Sequence, residues 1–184
     1  MPQSRRTILT TLAGLTAAAA AAPVIAGESL DPVQLADART AAPNFVGISR
    51  WFNSAPLSIG ELRGKVVLVD FWTYGCYNCV NTLPYVTKLY DQYKGRGLVV
   101  VGVHTPEFPF ERSAGNVQAA LTRHGITYPV AQDNDSATWN AWHNRYWPAQ
   151  YIVDQHGNVV FSHAGEGQYD EIERSVRRLL NATS

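Results

Sequence analysis

One stretch decides the fold of this protein, residues 69–79: Val69-Asp70-Phe71-Trp72-Thr73-Tyr74-Gly75-Cys76-Tyr77-Asn78-Cys79. Its first four residues complete an apolar run rich in β-branched residues, 66–72. Such a run is typical of a strand buried on both faces of a mainly parallel sheet. Its last residues include Cys76 and Cys79, the only two cysteines of the 184-residue chain. The cysteine pair therefore stands where a buried strand is predicted to give way to a helix.

The residues that follow the cysteines complete a βαβ unit. Apolar residues recur at helical intervals over residues 80–93, and the pattern ends before Gly95 and Gly97. A second β-branched run over residues 98–103 predicts the next strand. Strand, helix and strand in this order predict an α/β domain.

Five further elements are predicted between this unit and the C-terminus. Helical patterns cover residues 111–124, 136–145 and 169–180. The strands 151–153 and 159–161 flank a run of turn-forming residues, 154–158, and so predict a β-hairpin. These elements fit one domain of common size over residues 43–184.

The composition favours a packed core and excludes one class of partner. Hydrophobic residues make up 46% of the chain and charged residues 16%, so a core can be buried. Lys plus Arg equals Asp plus Glu at 15 each, which gives a formal net charge of zero. Since there is no basic excess to neutralise phosphates, we expect no nucleic-acid partner.

The first 26 residues have the layout of an export signal. Arg5 and Arg6 precede an apolar run that ends in small residues, and the paired arginines resemble a twin-arginine signal. The run is short and is broken at Pro23, which makes it a poor membrane-spanning helix. We expect cleavage after Ala26, a tether over residues 27–42, and a periplasmic or other extracytoplasmic location. The alternative is an uncleaved signal that anchors the protein to the membrane.

The position of the two cysteines favours redox chemistry. A helix N-terminus carries unpaired N–H groups and a partial positive charge, so it stabilises a thiolate at Cys76. Cys79 lies one helical turn further on, close enough to attack a mixed disulfide formed by Cys76. Cys76 is therefore predicted to be the nucleophile and Cys79 the resolving cysteine.

Three other uses of a cysteine pair fit the sequence less well. A structural zinc site needs four ligands, and the chain has no second CxxC motif. Covalent haem attachment requires a histidine after the second cysteine, where this chain has Val80. A static disulfide would close so short a loop that it would remove little entropy from the unfolded chain.

The same residues resemble the active-site segment of thioredoxin, with Pro84 five residues after the second cysteine. Residues 57–65 resemble the exported TlpA and ResA branch of that family. Residues 71–74, 102–108 and 139–149 are similar to the thioredoxin-like domain of DipZ-type proteins. The resemblance implies a thioredoxin fold, that is, a central mixed sheet flanked by helices, here with an N-terminal extension. It also implies that the redox-active Cys76–Cys79 disulfide is the only cofactor.

The resemblance further implies a substrate-binding surface. Pro148 matches the family's cis-proline, which lies beside the nucleophilic cysteine and leaves nearby backbone free to pair with an extended substrate. An ordinary loop proline is the alternative, because only about one X-Pro bond in twenty is cis. Trp147 is expected either to line the substrate groove or to be a core aromatic. Trp72, Tyr77 and Asn78 complete the predicted surface.

Two acidic residues are candidates for proton transfer. Asp70 matches the buried acid of thioredoxin that moves a proton to or from the second cysteine. A carboxylate in an apolar strand is costly because desolvation raises its pKa. The alternative is a strand-end aspartate that reaches solvent. Glu107 resembles an acid near the cysteines of the TlpA and ResA branch.

The predicted function is the reduction of disulfides in exported proteins, cytochrome c maturation included. DipZ-type proteins carry a membrane electron-transfer domain, so we expect this chain to receive electrons from a separate membrane-embedded thiol reductant. A peroxidase of peroxiredoxin type is an alternative, since Thr73 and Cys76 have its Thr-x-x-Cys spacing, although Val69 stands where that family has proline. A copper-delivery module is another, but three residues separate the cysteines of that family and only two separate Cys76 from Cys79.

Overall fold

The computed structural model describes residues 40–182. Within that range the chain forms seven strands and four α-helices. The strands are β1 Thr40–Ala41, β2 Arg50–Phe52, β3 Val66–Trp72, β4 Leu98–His104, β5 Val130–Gln132, β6 Ala149–Val153 and β7 Asn158–Ala164. The helices are α1 Tyr77–Tyr93, α2 Ala114–Arg123, α3 Ala137–Ala141 and α4 Tyr169–Asn181.

All the strands join one mixed sheet in the order β1-β7-β6-β3-β4-β5-β2. The central strand β3 is parallel to β4 and antiparallel to β6. Every residue of β3 is buried, because both faces of the sheet are covered there. The predicted mixed sheet and the βαβ unit formed by β3, α1 and β4 are confirmed.

Alternate residues of β3 point into two separate cores. Val67, Val69 and Phe71 pack on one face, with Trp142 of the α3 region. Leu68 and Trp72 pack on the other face, against apolar residues of α1, α2 and α4. By the same alternation Asp70 faces α1, the helix that carries Cys79 in this second core. The strand and helix predicted from residues 66–93 therefore bring the acid and the second cysteine to one face of the sheet.

The predicted helix over residues 111–124 is wrong at its beginning. Residues 109–112 form a 3-10 turn, and α2 starts only at Ala114. Ser113 separates them because its backbone is extended and its hydroxyl accepts a hydrogen bond from the N–H of Asn116 at 3.4 Å. The helix predicted over 136–145 is also shorter than expected, since α3 ends at Ala141.

The strands at the sheet edges were not predicted from the sequence. β2 pairs with β5 at one edge, and β1 pairs with β7 at the other. β1 consists of Thr40 and Ala41, which lie in the last residues of the predicted tether 27–42. The export signal and the rest of the tether lie outside the described residues. No helix within residues 40–182 is long and apolar enough to cross a membrane.

Candidate active site

Cys76 occupies the N-cap position of α1. Its Sγ accepts a hydrogen bond from the backbone N–H of Cys79 at 3.3 Å, and its side chain is partly exposed. A sulfur that accepts an N–H bond at a helix N-terminus is stabilised in its thiolate form by that bond and by the helix dipole. The geometry therefore provides a reachable nucleophilic sulfur at this position.

Cys79 has the opposite environment. It is buried, with 1% of its surface exposed. Burial raises the pKa of its thiol well above the ordinary value, and its hydrogen bond with Cys76 and the charge of Asp70 raise it further. Cys79 therefore stays protonated near neutral pH and needs a base before it can attack a disulfide.

Asp70 is the candidate for the base that Cys79 needs. It is 1% exposed, so the alternative of a strand-end aspartate that reaches solvent is wrong. Burial raises the pKa of Asp70 from 3.8 to about 7, while a hydrogen bond from Gln150 Nε2 to Oδ1 at 3.3 Å opposes the rise. A carboxyl with a pKa near neutrality can both accept and return a proton at working pH.

The sheet register explains the surroundings of Asp70. Its neighbours are Gly102 on β4 and Gln150 on β6. Gly102 leaves room for two aromatic side chains because it has no Cβ. A Cβ at this position would lie only 3.0 Å from the indole nitrogen of Trp72 and 3.1 Å from the ring of Tyr128. Asp70 Oδ2 and the Tyr128 hydroxyl have no hydrogen-bond partner among the described residues. Gln150 was not singled out from the sequence, because only the pairing of β6 with β3 places it beside Asp70. Tyr128 was not singled out either, since it precedes β5 and reaches Gly102 only in the folded chain.

The peptide bond between Trp147 and Pro148 is cis, as the resemblance predicted. Trp147 is half-buried, its Nε1 donates to the carbonyl of Thr105 at 3.0 Å, and its ring lies 4.1 Å from that of Trp139. The side chain of Trp147 thus combines core contacts with an accessible part. Its contact with a substrate, and that of Pro148, stay predictions.

A model of the Redoxin family matches residues 37–180. The chain belongs to the Redoxin family. Over 143 residues this redoxin is 49% identical to protein DipZ of Mycobacterium tuberculosis, a match that covers 76% of this chain and 21% of that protein. The chain thus spans about a fifth of the length of the DipZ proteins that it matches.

Two further relatives are matched over nearly their whole length. Thiol-disulfide oxidoreductase YkuV of Bacillus subtilis is 30% identical over 145 residues, which cover 79% of this chain and 97% of YkuV. A thioredoxin-like protein solved in its oxidised form has a TM-score of 0.72 and 31% identity, covering 79% of this chain and 98% of that one. This redoxin therefore has the thioredoxin fold and is similar to a thiol-disulfide oxidoreductase over nearly the whole length of that relative.

The other predicted surface residues of the redoxin fall in different environments. Tyr77 is 78% exposed, and Asn78 is exposed beside it. Trp72 is fully buried, with its ring edge-on to His104 at 5.3 Å, so the structure places it in the core beneath the active-site loop and not on the predicted surface. Large apolar rings in the middle of a sheet are buried when helices cover that face.

The acid predicted at Glu107 is exposed, and its backbone N–H donates to another acid, Glu111. Glu111 is fully buried and also accepts hydrogen bonds from Thr73 and Gly75, directly before Cys76. A catalytic role for Glu107 stays a prediction. Glu111 was missed because the helix predicted over 111–124 gave it no special position. No cluster of three His, Cys, Asp or Glu in the described part of the chain is arranged to hold a metal ion.

Proposed function

We propose that this redoxin reduces disulfides of exported proteins, with Cys76 as the nucleophile and Cys79 as the resolving cysteine. The observation that carries the proposal is the contrast between the two thiols. Cys76 is partly exposed at the N-cap of α1 and its sulfur accepts an N–H bond. Cys79 is buried, with a raised pKa, on the face that holds Asp70.

The reaction proceeds in two exchanges. The Cys76 thiolate attacks one sulfur of the substrate disulfide, which forms a mixed disulfide and releases the other substrate sulfur as a thiolate. Cys79 then loses its proton to Asp70, directly or through water, and attacks Cys76 Sγ. The second substrate thiolate leaves, and the Cys76–Cys79 disulfide remains. Two electrons pass from the dithiol to the substrate, and a separate dithiol must supply them again.

Three features support the cellular setting of the proposal. The N-terminal sequence has the layout of an export signal, with the arginine pair Arg5-Arg6. The balanced charge offers no attraction to nucleic acid. The chain resembles the thioredoxin-like part of DipZ-type proteins, which carry a membrane electron-transfer domain, so a separate membrane-embedded thiol reductant is the expected electron donor of this chain. Reduction in cytochrome c maturation is one task that fits this setting.

The peroxidase alternative receives less support. That alternative depends on the Thr-x-x-Cys spacing of Thr73 and Cys76 and would need Thr73 to be accessible to a peroxide. Here Thr73 is fully buried and its hydroxyl donates to Glu111. That hydroxyl therefore has neither access to a peroxide nor a free proton to donate.

The equilibrium reduction potential against glutathione tests the direction of electron flow. A reductant is expected near the potential of thioredoxin, about −270 mV, and far from that of a strong oxidant, about −120 mV. The measurement is the fraction of disulfide in the purified redoxin across a series of glutathione ratios. A value near the oxidising limit would overturn the reductase assignment and leave the roles of the two cysteines intact.

A further inference from the structure

Glu111 is hydrogen-bonded to the loop that leads to the nucleophilic cysteine. It lies on the 3-10 turn 109–112 and is fully buried. Its Oε1 accepts from the hydroxyl of Thr73 at 2.5 Å and from the backbone N–H of Gly75 at 2.8 Å. Its Oε2 accepts from the backbone N–H groups of Glu107 and Phe108, at 2.7 and 2.8 Å. One carboxylate therefore joins the active-site loop to the segment after β4.

All four hydrogen bonds of Glu111 are accepted by its carboxyl oxygens, three from backbone N–H groups and one from the hydroxyl of Thr73. Backbone N–H groups can only donate, so this arrangement suits the negative charge of a carboxylate. Charge-assisted bonds from two backbone N–H groups on one oxygen and a hydroxyl plus an N–H on the other offset the desolvation of the buried charge. The chain thus holds a fixed negative charge behind its active-site loop.

The groups around this charge do not neutralise it. Thr73 donates its only hydrogen to Glu111, so the contact of Thr73 Oγ1 with His104 Nε2 at 3.3 Å has His104 as its donor. Burial lowers the pKa of His104 to about 4, which leaves the imidazole neutral. On the loop itself Tyr74 is uncharged, and burial together with the charge of Glu111 raises the pKa of its hydroxyl. Arg112, the adjacent cation, points to Asp135 at 3.5 Å.

The carboxylate also touches the backbone one residue before the nucleophile. A Cβ placed on Gly75 would overlap Glu111 Oε1 and lie 3.7 Å from Cζ of Phe110. The carbonyl of Thr73 accepts from the N–H of Cys76 at 3.4 Å, which closes the turn between the strand and α1. Glu111 therefore accepts hydrogen bonds from two residues, Thr73 and Gly75, of the turn that places Cys76 at the N-cap of α1.

We propose that Glu111 is a positioning residue that sets the reduction potential of the Cys76–Cys79 pair, by fixing this turn and by placing a negative charge behind Cys76. The inference deepens the proposed reductase function and rests on it. A negative charge beside the N-terminus of α1 opposes the helix dipole and disfavours the Cys76 thiolate. Disfavouring the thiolate disfavours the reduced pair, which makes the protein a stronger reductant.

The test compares Glu111→Gln with wild type and with Glu166→Gln. Glu166 is an exposed acid whose carboxylate accepts from Asn81 of α1 at 3.3 Å, so the control removes a solvent-screened charge near the same helix. We expect Glu111→Gln to shift the equilibrium with glutathione about tenfold toward the dithiol, a potential about 30 mV less negative. The rate of Cys76 alkylation should reach its plateau at a lower pH than in wild type. Glu166→Gln should match wild type in both measurements.

A purely structural role for Glu111 would lower the melting temperature and leave the potential and the pH profile unchanged, and that result would overturn the proposal. If Glu111→Gln does not fold, Gly75→Ala provides a second test. The added methyl group would overlap Glu111 Oε1, so it displaces the carboxylate from the loop, although the protein keeps the charge of Glu111. Its potential should also become less negative, with Gly115→Ala, whose Cβ meets nothing closer than 3.8 Å, as the matched control. An unchanged potential in a folded Gly75→Ala protein would equally reject the role of Glu111.

The experiment separates this inference from the function on which it rests. If the wild-type cysteine pair does not equilibrate with glutathione at all, the proposed redox function fails. If wild type equilibrates and the Glu111 and Gly75 variants have its potential, only the role of Glu111 fails.

Discussion

Asp70 and Cys79 are two buried groups that share one face of the sheet, and the charge of Asp70 raises the cost of ionising Cys79. The pKa of the Cys79 thiol is raised by burial first and by the charge of Asp70 among the smaller causes. The pKa of Asp70 is raised by burial to about 7. Transfer of one proton from Cys79 to Asp70 therefore moves a single negative charge within the site, which is less costly than creating a second one.

Asp70→Asn is expected to slow the resolving step and to spare the first attack of Cys76. Loss of general-base help is typically worth about a hundredfold to ten-thousandfold. In wild type the resolving rate should rise as pH passes through about 7, because the ionised form of Asp70 accepts the proton. Rapid mixing over a pH series measures both steps. Equal resolving rates in the two proteins at every pH would assign Asp70 a structural role and leave the proton to Glu107 or to solvent.

The same substitution should change stability in a pH-dependent way. Between pH 4 and 7 the folded protein keeps a proton on Asp70 that the unfolded chain has lost, so the stability of wild type falls as pH rises through this window. Asp70→Asn removes this pH-dependent loss of stability, because asparagine does not ionise. The variant should exceed wild type at pH 8 by up to about 4 kcal/mol, since one pKa unit corresponds to about 1.4 kcal/mol. The difference should vanish near pH 4, and denaturant unfolding at both pH values measures it.

Single residues near the cysteines were predictable to different degrees. Cys76, Cys79 and Asp70 lie within one continuous stretch, where spacing alone indicates a strand end and a helix start. Glu111 and Gln150 reach the site only through tertiary structure. Glu111 depends on a 3-10 turn that interrupts the helical pattern, and Gln150 depends on the pairing of β6 with β3.

At the level of elements, long periodic segments were predictable and the shortest strands were not. The predicted strand 66–72 coincides with β3, and the predicted hairpin is formed by β6 and β7. β2 and β5 have three residues each, too few to show a period, and they are strands because each finds a partner in the sheet. Helix α1 begins three residues before its apolar pattern because Cys76 and the polar residues after it occupy its first turn.

The pairing of β3 with β6 gives a prediction about proton transfer. Gln150 of β6 donates a hydrogen bond to Asp70 and, with Leu68 of β3, lines a groove of about 450 Å³ between α1 and α4. Its hydrogen bond lowers the pKa of Asp70 against the effect of burial. Gln150→Leu removes that bond, so the pH at which the resolving rate is half-maximal should move above its wild-type value. The pH profile of the first attack by Cys76 should stay the same. An unchanged pH profile of the resolving step would show that the hydrogen bond from Gln150 does not affect proton transfer from Cys79.

At the level of the whole molecule, the chain places one partly exposed and one buried cysteine at the start of one helix. That helix packs against a sheet whose central strand is covered on both faces. The fold was predictable because the active-site stretch, the βαβ unit and the hairpin are all local patterns. The lengths of the middle helices were not, since Ser113 and the end of α3 depend on capping and on packing against residues distant in sequence. In the proposed function, the partners of the protein are those whose disulfides react with Cys76.

Replacing the resolving cysteine should identify those partners. In Cys79→Ser the Cys76 thiolate still attacks a substrate disulfide, but no second thiol releases the product, so the mixed disulfide accumulates. Serine is smaller and polar in a site that is 1% exposed, hence a modest loss of stability is expected while the N-cap position of Cys76 is kept. The measurement is non-reducing electrophoresis and mass spectrometry of adducts formed in the native compartment. Cys76→Ser is the matched control, because its remaining thiol is buried and should trap nothing. Adducts with exported proteins in Cys79→Ser alone would support the reductase function, and adducts in neither variant would count against it.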